Sequence, residues 1–361
     1  MNSLSKYFFL PPSSFILFRS FFLLTLSAAS AATSQPEQAS AIAKIVQKAM
    51  KTEHLRAVII KVTEGDKVIT SQAFGESVAG VPATTAMHFP NGAVAFAYLG
   101  TLLMEFVDEH KVKLDDTIDR WMPTLPEANK VTLKMLANQT SGYPDFETDP
   151  AWLAAWSANP FHIWMFDERV KYAFARPVAS QTSEIPSPVL HAFDSERRGA
   201  LKIPANVAFY EESSFWNVQW GTPMGANETT NIDDMATTAI KVGTGALLSK
   251  SSYEAMTAPN LLGFGHKQDN CAPSCFTQVN GYNYGIGVVR SGSWLLQNPL
   301  LDGYSATEAY LPSEKIAIAV ATTFAPEAFD SQGNYKNSSD TVFRLIGAYV
   351  APDDPPPRAK D

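Results

Sequence analysis

Apolar residues recur at helical spacing near the start of the readable chain, where Ile42, Ile45, Val46 and Met50 form one stripe and predict a helix over Glu37 to Lys51. Two β-branched runs follow, Leu55 to Val62 and Lys67 to Phe74, joined by Glu64-Gly65-Asp66, the pattern of a β-hairpin. From Ala93 to Glu109 the apolar residues fall on nearly every face at first, which predicts a helix buried inside a lobe rather than lying on its surface. The middle of the chain, to about residue 255, alternates helix-like pieces with Pro- and Trp-rich loops. Strand patterns return at Tyr284 to Val289, Ser293 to Leu296, Thr307 to Leu311 and Lys315 to Thr323, and a short amphipathic helix spans Asp340 to Val350. Strands at both ends around a helical middle predict an α+β fold: an antiparallel sheet built from the two chain ends, flanked by helices, plus a helical lobe. The sheet parts cover about 37–80 and 280–351, the lobe about 93–260. The tail 352–361, with its prolines and charges, is expected to be disordered. No internal repeat is evident.

The first residues change the picture. Lys6 and Arg19 are the sole charges before Glu37, and an apolar run ends in Ala29-Ser30-Ala31. A positive leader, a short apolar core and a small-x-small end predict a signal peptide over 1–31 and a secreted protein; a retained anchor is the alternative. The formal charge of −8, without a Lys/Arg cluster, excludes nucleic acid and an anionic membrane surface as partners. The two cysteines, Cys271 and Cys275, read as a small disulfide in an exported chain. Half of a metal site is the rival, but His266 is the one imidazole nearby, too few ligands for a tetrahedral centre. No metal and no cofactor is expected. Asn138, Asn227 and Asn337 each head a glycosylation sequon.

Several consecutive phrases resemble the serine β-lactamase and penicillin-binding-protein-like family, in particular its class C-like esterase and peptidase branch. They are Phe89-Pro-Asn-Gly-Ala93, Leu114-Asp-Asp116, Trp121-Met-Pro-Thr-Leu-Pro126 and Val131 to Gly142, followed more loosely by Gly285-Ile-Gly287 and Gly303-Tyr304. The resemblance implies a β-lactamase/transpeptidase-like fold and three chemical boxes. In the first, Ser-x-x-Lys, a nucleophile and a base share one helix face. Here Ala93 and Phe96 occupy those places, and neither can start acyl transfer. The second, Tyr-x-Asn, belongs after the region Trp164 to Phe174, yet the chain passes from Ala175-Arg-Pro177 to Ala179 through Pro186 without it. Tyr335-Lys-Asn337 is a match by spacing alone. The third, Lys-Thr-Gly or His-x-Gly, falls on Gln297-Asn298-Pro299, counted back from Gly303-Tyr304.

The helical lobe therefore looks truncated, whether by natural loss or in a shortened splice or gene product. Losing a helix leaves its neighbours' apolar faces without cover. The resemblance implies a cleft whose floor carries Ala93, Phe96, Gln297 and Asn298, suited to binding a small molecule or a protein without turnover. The other reading is an active hydrolase with a relocated nucleophile. Ser213 or Ser214 with His191 and Asp194 is one candidate set, because triads are recognised by geometry and not by chain order; Ser141 reads instead as part of a structural turn. The aromatic run Trp152, Trp156, Phe161, Trp164, Phe166, Trp216 and Trp220 reads as core first and pocket lining second.

Overall fold

The computed structural model describes residues 34–162, 164, 168–169, 186–214, 216, 226–267 and 275–358. Helix α1 (Gln35–Thr52) precedes strands β1 (Leu55–Glu64) and β2 (Lys67–Val78), which pair as the expected hairpin around Gly65 at φ 55°. Short strands β3 (Val81–Pro82) and β4 (Phe89–Pro90) lead into a 3-10 turn, Gly92–Val94, and then helix α2 (Ala95–Asp108). Helices α3 (Leu133–Ala137) and α4 (Pro150–Ala158) and the ribbon strands β5 (Phe193–Asp194) and β6 (Glu211–Glu212) follow. After β7 (Thr229–Thr230) come α5 (Ile232–Gly243) and α6 (Lys250–Thr257). The C-terminal part contains β8 (Asn283–Tyr284), β9 (Val289–Ser291), β10 (Trp294–Gln297), β11 (Leu300–Leu301), β12 (Tyr304–Leu311), β13 (Ile316–Phe324) and α7 (Ser338–Val350).

The main sheet has nine antiparallel strands in the order β3-β2-β1-β13-β12-β10-β9-β8, with β11 also paired to β12. The ends of the chain meet at its centre, where Ile60 of β1 faces Val320 of β13. Both central strands are buried on both faces, and period-two alternation divides their side chains between two layers. Val58, Ile60, Ile318 and Val320 join Ile42, Val46, Phe343 and Ile346 of α1 and α7 in a rear core. Ala57, Ile59, Ala319 and Ala321 meet Ile232, Met235 and Ala236 of α5 in a front core. The alanines let α5 lie close. That helix starts where Asn231 accepts the N–H groups of Asp233 and Asp234, and it ends at Gly243, just before Gly245 at φ 64°.

Three expectations change. The strand expected over Tyr284 to Val289 breaks into β8 and β9, because Gly285-Ile286-Gly287 presses onto the helices instead. A Cβ on Gly285 would stand 2.1 Å from the carbonyl oxygen of Met256, and one on Gly287 2.3 Å from that of Phe96. Helix α2 is not buried all round: Leu99 (46% exposed), Leu102 (44%) and Phe106 (37%) face outward while Ala97, Gly100 and Met104 pack inward. The tail, expected to be disordered, is packed as far as residue 358. Trp294 Nε1 donates to the Asp354 carbonyl at 2.9 Å, and Pro356 and Pro357 lie against Gly347 and Gly292. Apolar pyrrolidine rings on two glycines outweigh the charge that made the segment read as solvated. Residues 1–31, Cys271 and the Ala175 to Ile185 stretch lie outside the described residues. Among those that are described, no helix is long and apolar enough to cross a membrane.

Candidate functional site

The start of α2 is held from below by a polar clamp. β4 pairs with β7, and the residues just beyond exchange hydrogen bonds: Asn91 N–H donates to Glu228 O at 2.8 Å, and Glu228 N–H to Asn91 Oδ1 at 3.1 Å. Gly92, at φ 54°, donates its N–H to Asn227 Oδ1 at 2.6 Å. Asn91 and Asn227 are both buried. Asn227, which heads a sequon, fixes the turn with this side chain. Asn138 is likewise buried, and Asn337 caps α7 by accepting the Asp340 N–H, so each sequon amide sits within the fold's own contacts.

The helix start meets the strand that the alignment placed opposite it. A Cβ on Gly92 would lie 2.8 Å from Cβ of Pro299, so the segments carrying Ala93 and Gln297-Asn298-Pro299 are neighbours. Their side chains do not converge. Gln297 is 1% exposed, and its Nε2 donates to Gly287 O at 2.7 Å, bracing the β8–β9 bend against α2. Asn298, one residue on, points to the rear: its Oδ1 accepts from Tyr282 Oη at 3.1 Å and its Nδ2 donates to Asp340 Oδ1 at 3.1 Å. Gln297 and Asn298 thus belong to opposite layers, as strand alternation requires. Phe96 is half-buried and lines a hollow of about 270 Å³ with Leu99, Leu136 and Gly287. Ala93 is half-buried on the 3-10 turn.

The alternative nucleophiles are brought together, in an order that does not make a triad. The β5–β6 ribbon places His191 beside Glu212, with its Nδ1 in contact with Oε1. Ser214 Oγ donates to the same carboxylate oxygen at 3.0 Å and accepts the Ala192 N–H at 2.9 Å. A carboxylate, not an imidazole, occupies the central position. Ser214 and Ser213 are each 1% exposed, and Ser213 Oγ donates to the Asp302 carbonyl at 2.7 Å, tying the ribbon to the β11–β12 turn. Gly303 in that turn, at φ 82°, passes within 2.8 Å of Ser213 Oγ if given a Cβ, which explains the glycine. Asp194 is fully buried, burial together with the Glu196 carboxylate pushes its carboxyl well above the ordinary range, and its Oδ1 accepts the Glu196 N–H.

Tyr335-Lys-Asn337 lies on the far side of the sheet. Its tyrosine packs against Phe324 and Phe329 in the rear core, and Tyr335 Oη accepts the Gly303 N–H at 2.7 Å. It cannot act on a group at Ala93. Ser141 Oγ accepts the N–H of Tyr143 at 3.3 Å, the local bond of a turn. Trp152, Trp156, Trp164 and Trp216 form a buried cluster, the core reading, while Phe161 is 52% exposed; Phe166 and Trp220 lie outside the described residues.

One group escaped the sequence reading. Glu308 of β12 stands opposite Gln297 of β10 on the front layer, 3% exposed, with Oε2 lacking a hydrogen-bond partner. Burial, with the nearby Glu228 carboxylate, raises its pKa well above the usual carboxylate value. The signal available in the sequence was a lone acid at an inward position of an otherwise neutral strand, Tyr304 to Leu311.

The family model described as Beta-lactamase matches residues 42–342. Among solved structures, the D-amino acid amidase from Ochrobactrum anthropi SV3 superposes with a TM-score of 0.66 at 16% identity, over 87% of this chain and 99% of that one. A D-stereospecific amidohydrolase from Streptomyces sp. gives 0.64 at 16% identity over 87% and 99%. The octameric penicillin-binding protein homologue from Pyrococcus abyssi gives 0.56 at 16% identity over 86% and 77%. No curated protein matches the chain in sequence.

Proposed function

From the premise that this chain belongs to the beta-lactamase family, shown by a match across 42–342, we propose that it is a catalytically silent member that binds a small amide- or ester-like ligand without turning it over. The observation that carries this reading is the contact of Gly92 with Pro299. It supports the register in which helix start and strand meet, and in that register the two positions for nucleophile and base hold Ala93 and Phe96. Alanine has no atom to acylate and phenylalanine takes no proton. Gln297, in the place of the third box, is already bonded to Gly287 O. Amides of D-amino acids are the first ligands to try, since relatives of this fold are named for them.

The rival reading, a hydrolase with a relocated serine, has the Ser214–Glu212–His191 contacts in its favour and the burial of Ser214 against it. Any such enzyme passes through an acyl-serine. The test is the intact mass of the folded protein before and after a fluorophosphonate and a penicillin probe. An unchanged mass is expected. An adduct overturns silence, and peptide mapping then names the serine.

The proposal includes export after removal of 1–31, with Ala32 as the first residue of the secreted form, and a Cys271–Cys275 bridge. N-terminal sequencing checks the first, and a gain of about 2 Da on reduction, one hydrogen per sulfur, checks the second. Retention of Met1 or an unchanged mass counts against them.

A further inference from the structure

A second cavity runs along a different flank of α2. It has a volume of about 500 Å³ between α2 and α5, in the range of small-molecule sites. Its walls are apolar, from Leu99, Leu102, Val242 and Leu247, and the first two and Leu247 (63% exposed) stand open to solvent. Its polar groups are Tyr98 and Thr238, whose hydroxyls bond each other, Thr101 and Thr237, whose hydroxyls donate to helix carbonyls, and the carboxylates of Glu228 and Glu105, against one cation, Lys241. Behind the wall, Glu308 and Asp234 add negative charge that Tyr98 senses; burial first, then these carboxylates, push its hydroxyl up to about 12. Burial also raises the Glu228 carboxyl, against a hydrogen bond with the Asn91 side chain that lowers it. The cavity starts five residues beyond Ala93; on α2 it is lined by Tyr98, Leu99, Thr101, Leu102 and Glu105, of which Leu99 also borders the hollow at Phe96.

We propose that this groove is a binding site for an alkylammonium ligand, its cationic head at Glu228 and its apolar tail along Leu99, Leu102 and Leu247. Charge complementarity selects the head: the lining carries two carboxylates, Glu105 and Glu228, against one ammonium, Lys241. The exposed leucines select the tail, since an apolar chain laid on them removes surface that the fold leaves in water. The site does not use Ala93, so the penicillin test above can fail or succeed without affecting it.

Calorimetric titration of the full chain with decyltrimethylammonium, below its micelle threshold, reads the proposal directly. One molecule per protein is expected, at least about tenfold tighter than decyl sulfate or decanol. Glu228→Gln, which keeps the shape and removes the charge, is expected to erase most of that preference, and Leu102→Ser to weaken the cation by about fivefold while leaving its advantage over the sulfate. Thermal melts confirm that each variant is folded. Tail-free tetramethylammonium is expected to bind far more weakly. Equal binding of the sulfate, an unchanged Glu228→Gln variant, saturation at many molecules per protein, or no heat at all would each overturn the site.

Discussion

The two layers against the central sheet are built on different terms. The rear layer, beneath α1 and α7, is filled by large residues: Trp294 and Phe343 meet edge to face at 5.3 Å, and Ile42, Ile60 and Ile346 are fully buried around them. The front layer, beneath α5 and the start of α2, has the sheet alanines Ala57, Ala306, Ala319 and Ala321 among larger side chains such as Phe89 and Met235, and contains Glu308 with one oxygen unpaired. The rear keeps its buried hydroxyls paired with one another, Ser305 with Thr322 and Thr307 with Ser339, among these large apolar side chains. The front trades packing for close backbone approach and for polar groups, which is how a layer that holds ligands is made. Close backbone approach is seen at Gly92 and Pro299, and the proposed reading sets Ala93 and Phe96 beside it, where chemistry would begin.

Truncating the rear is the strongest way to sharpen the contrast. Trp294→Ala is expected to destabilise by about 3–5 kcal/mol, through lost transfer energy and a cavity that neighbours cannot fill. Chemical denaturation measures it, and a loss under about 1 kcal/mol would mean that the rear is not close-packed.

The front is expected to respond with the opposite sign. Glu308→Gln should stabilise by about 1–3 kcal/mol at pH 8, the range for relieving a buried polar group held without a partner. The folded pKa of Glu308 is raised, so the wild-type contribution is fully present below the unfolded carboxylate value and is lost as pH rises through the folded one. The gap between variant and wild type should therefore widen from pH 4 to pH 8 in thermal melts. A gap that narrows over that window sinks the assignment.

Smaller effects test the surface and the silent site. Leu102→Gln should change stability by no more than about 0.5 kcal/mol, because the side chain is already 44% exposed; a larger loss would show that something covers α2. Ala93→Ser should move stability by a similar margin and still give no penicillin adduct by mass, because Phe96 supplies no base. Acylation of that single variant would show a base elsewhere and would reopen the front layer as a catalytic site.

Much of the scaffold was legible in the residues. The β-hairpin around Gly65, the stripe of α1 and the alternation of β12 and β13 are local patterns with periods of 2.0 and 3.6, and those periods are written in the chain. The phrases from Phe89 to Gly142 and the Gly303-Tyr304 step carry the family resemblance, and Gly92 and Pro299 within them and beside them approach closely in the fold. The side-chain assignments at the cleft floor were less legible. Gln297 and Asn298 read as a pair, yet one turns forward to Gly287 and the other back to Asp340, because the pleat separates consecutive residues. The split of β8 from β9 was hidden as well, since glycines in a strand pattern do not say which backbone will approach them.

By itself, then, the sequence determined the family and the antiparallel sheet drawn from both chain ends, because each depends on residue identity or on neighbours along the chain. Only the tertiary structure decided that Ser213 and Ser214 are buried struts, that Asn227 holds the Gly92 turn, that Glu308 lies unpaired opposite Gln297, and that Leu99 and Leu102 are left in water. These are contacts between residues up to about 140 positions apart, as in the Tyr98–Thr238 pair, and burial at that range is set by how layers stack, which no local pattern encodes.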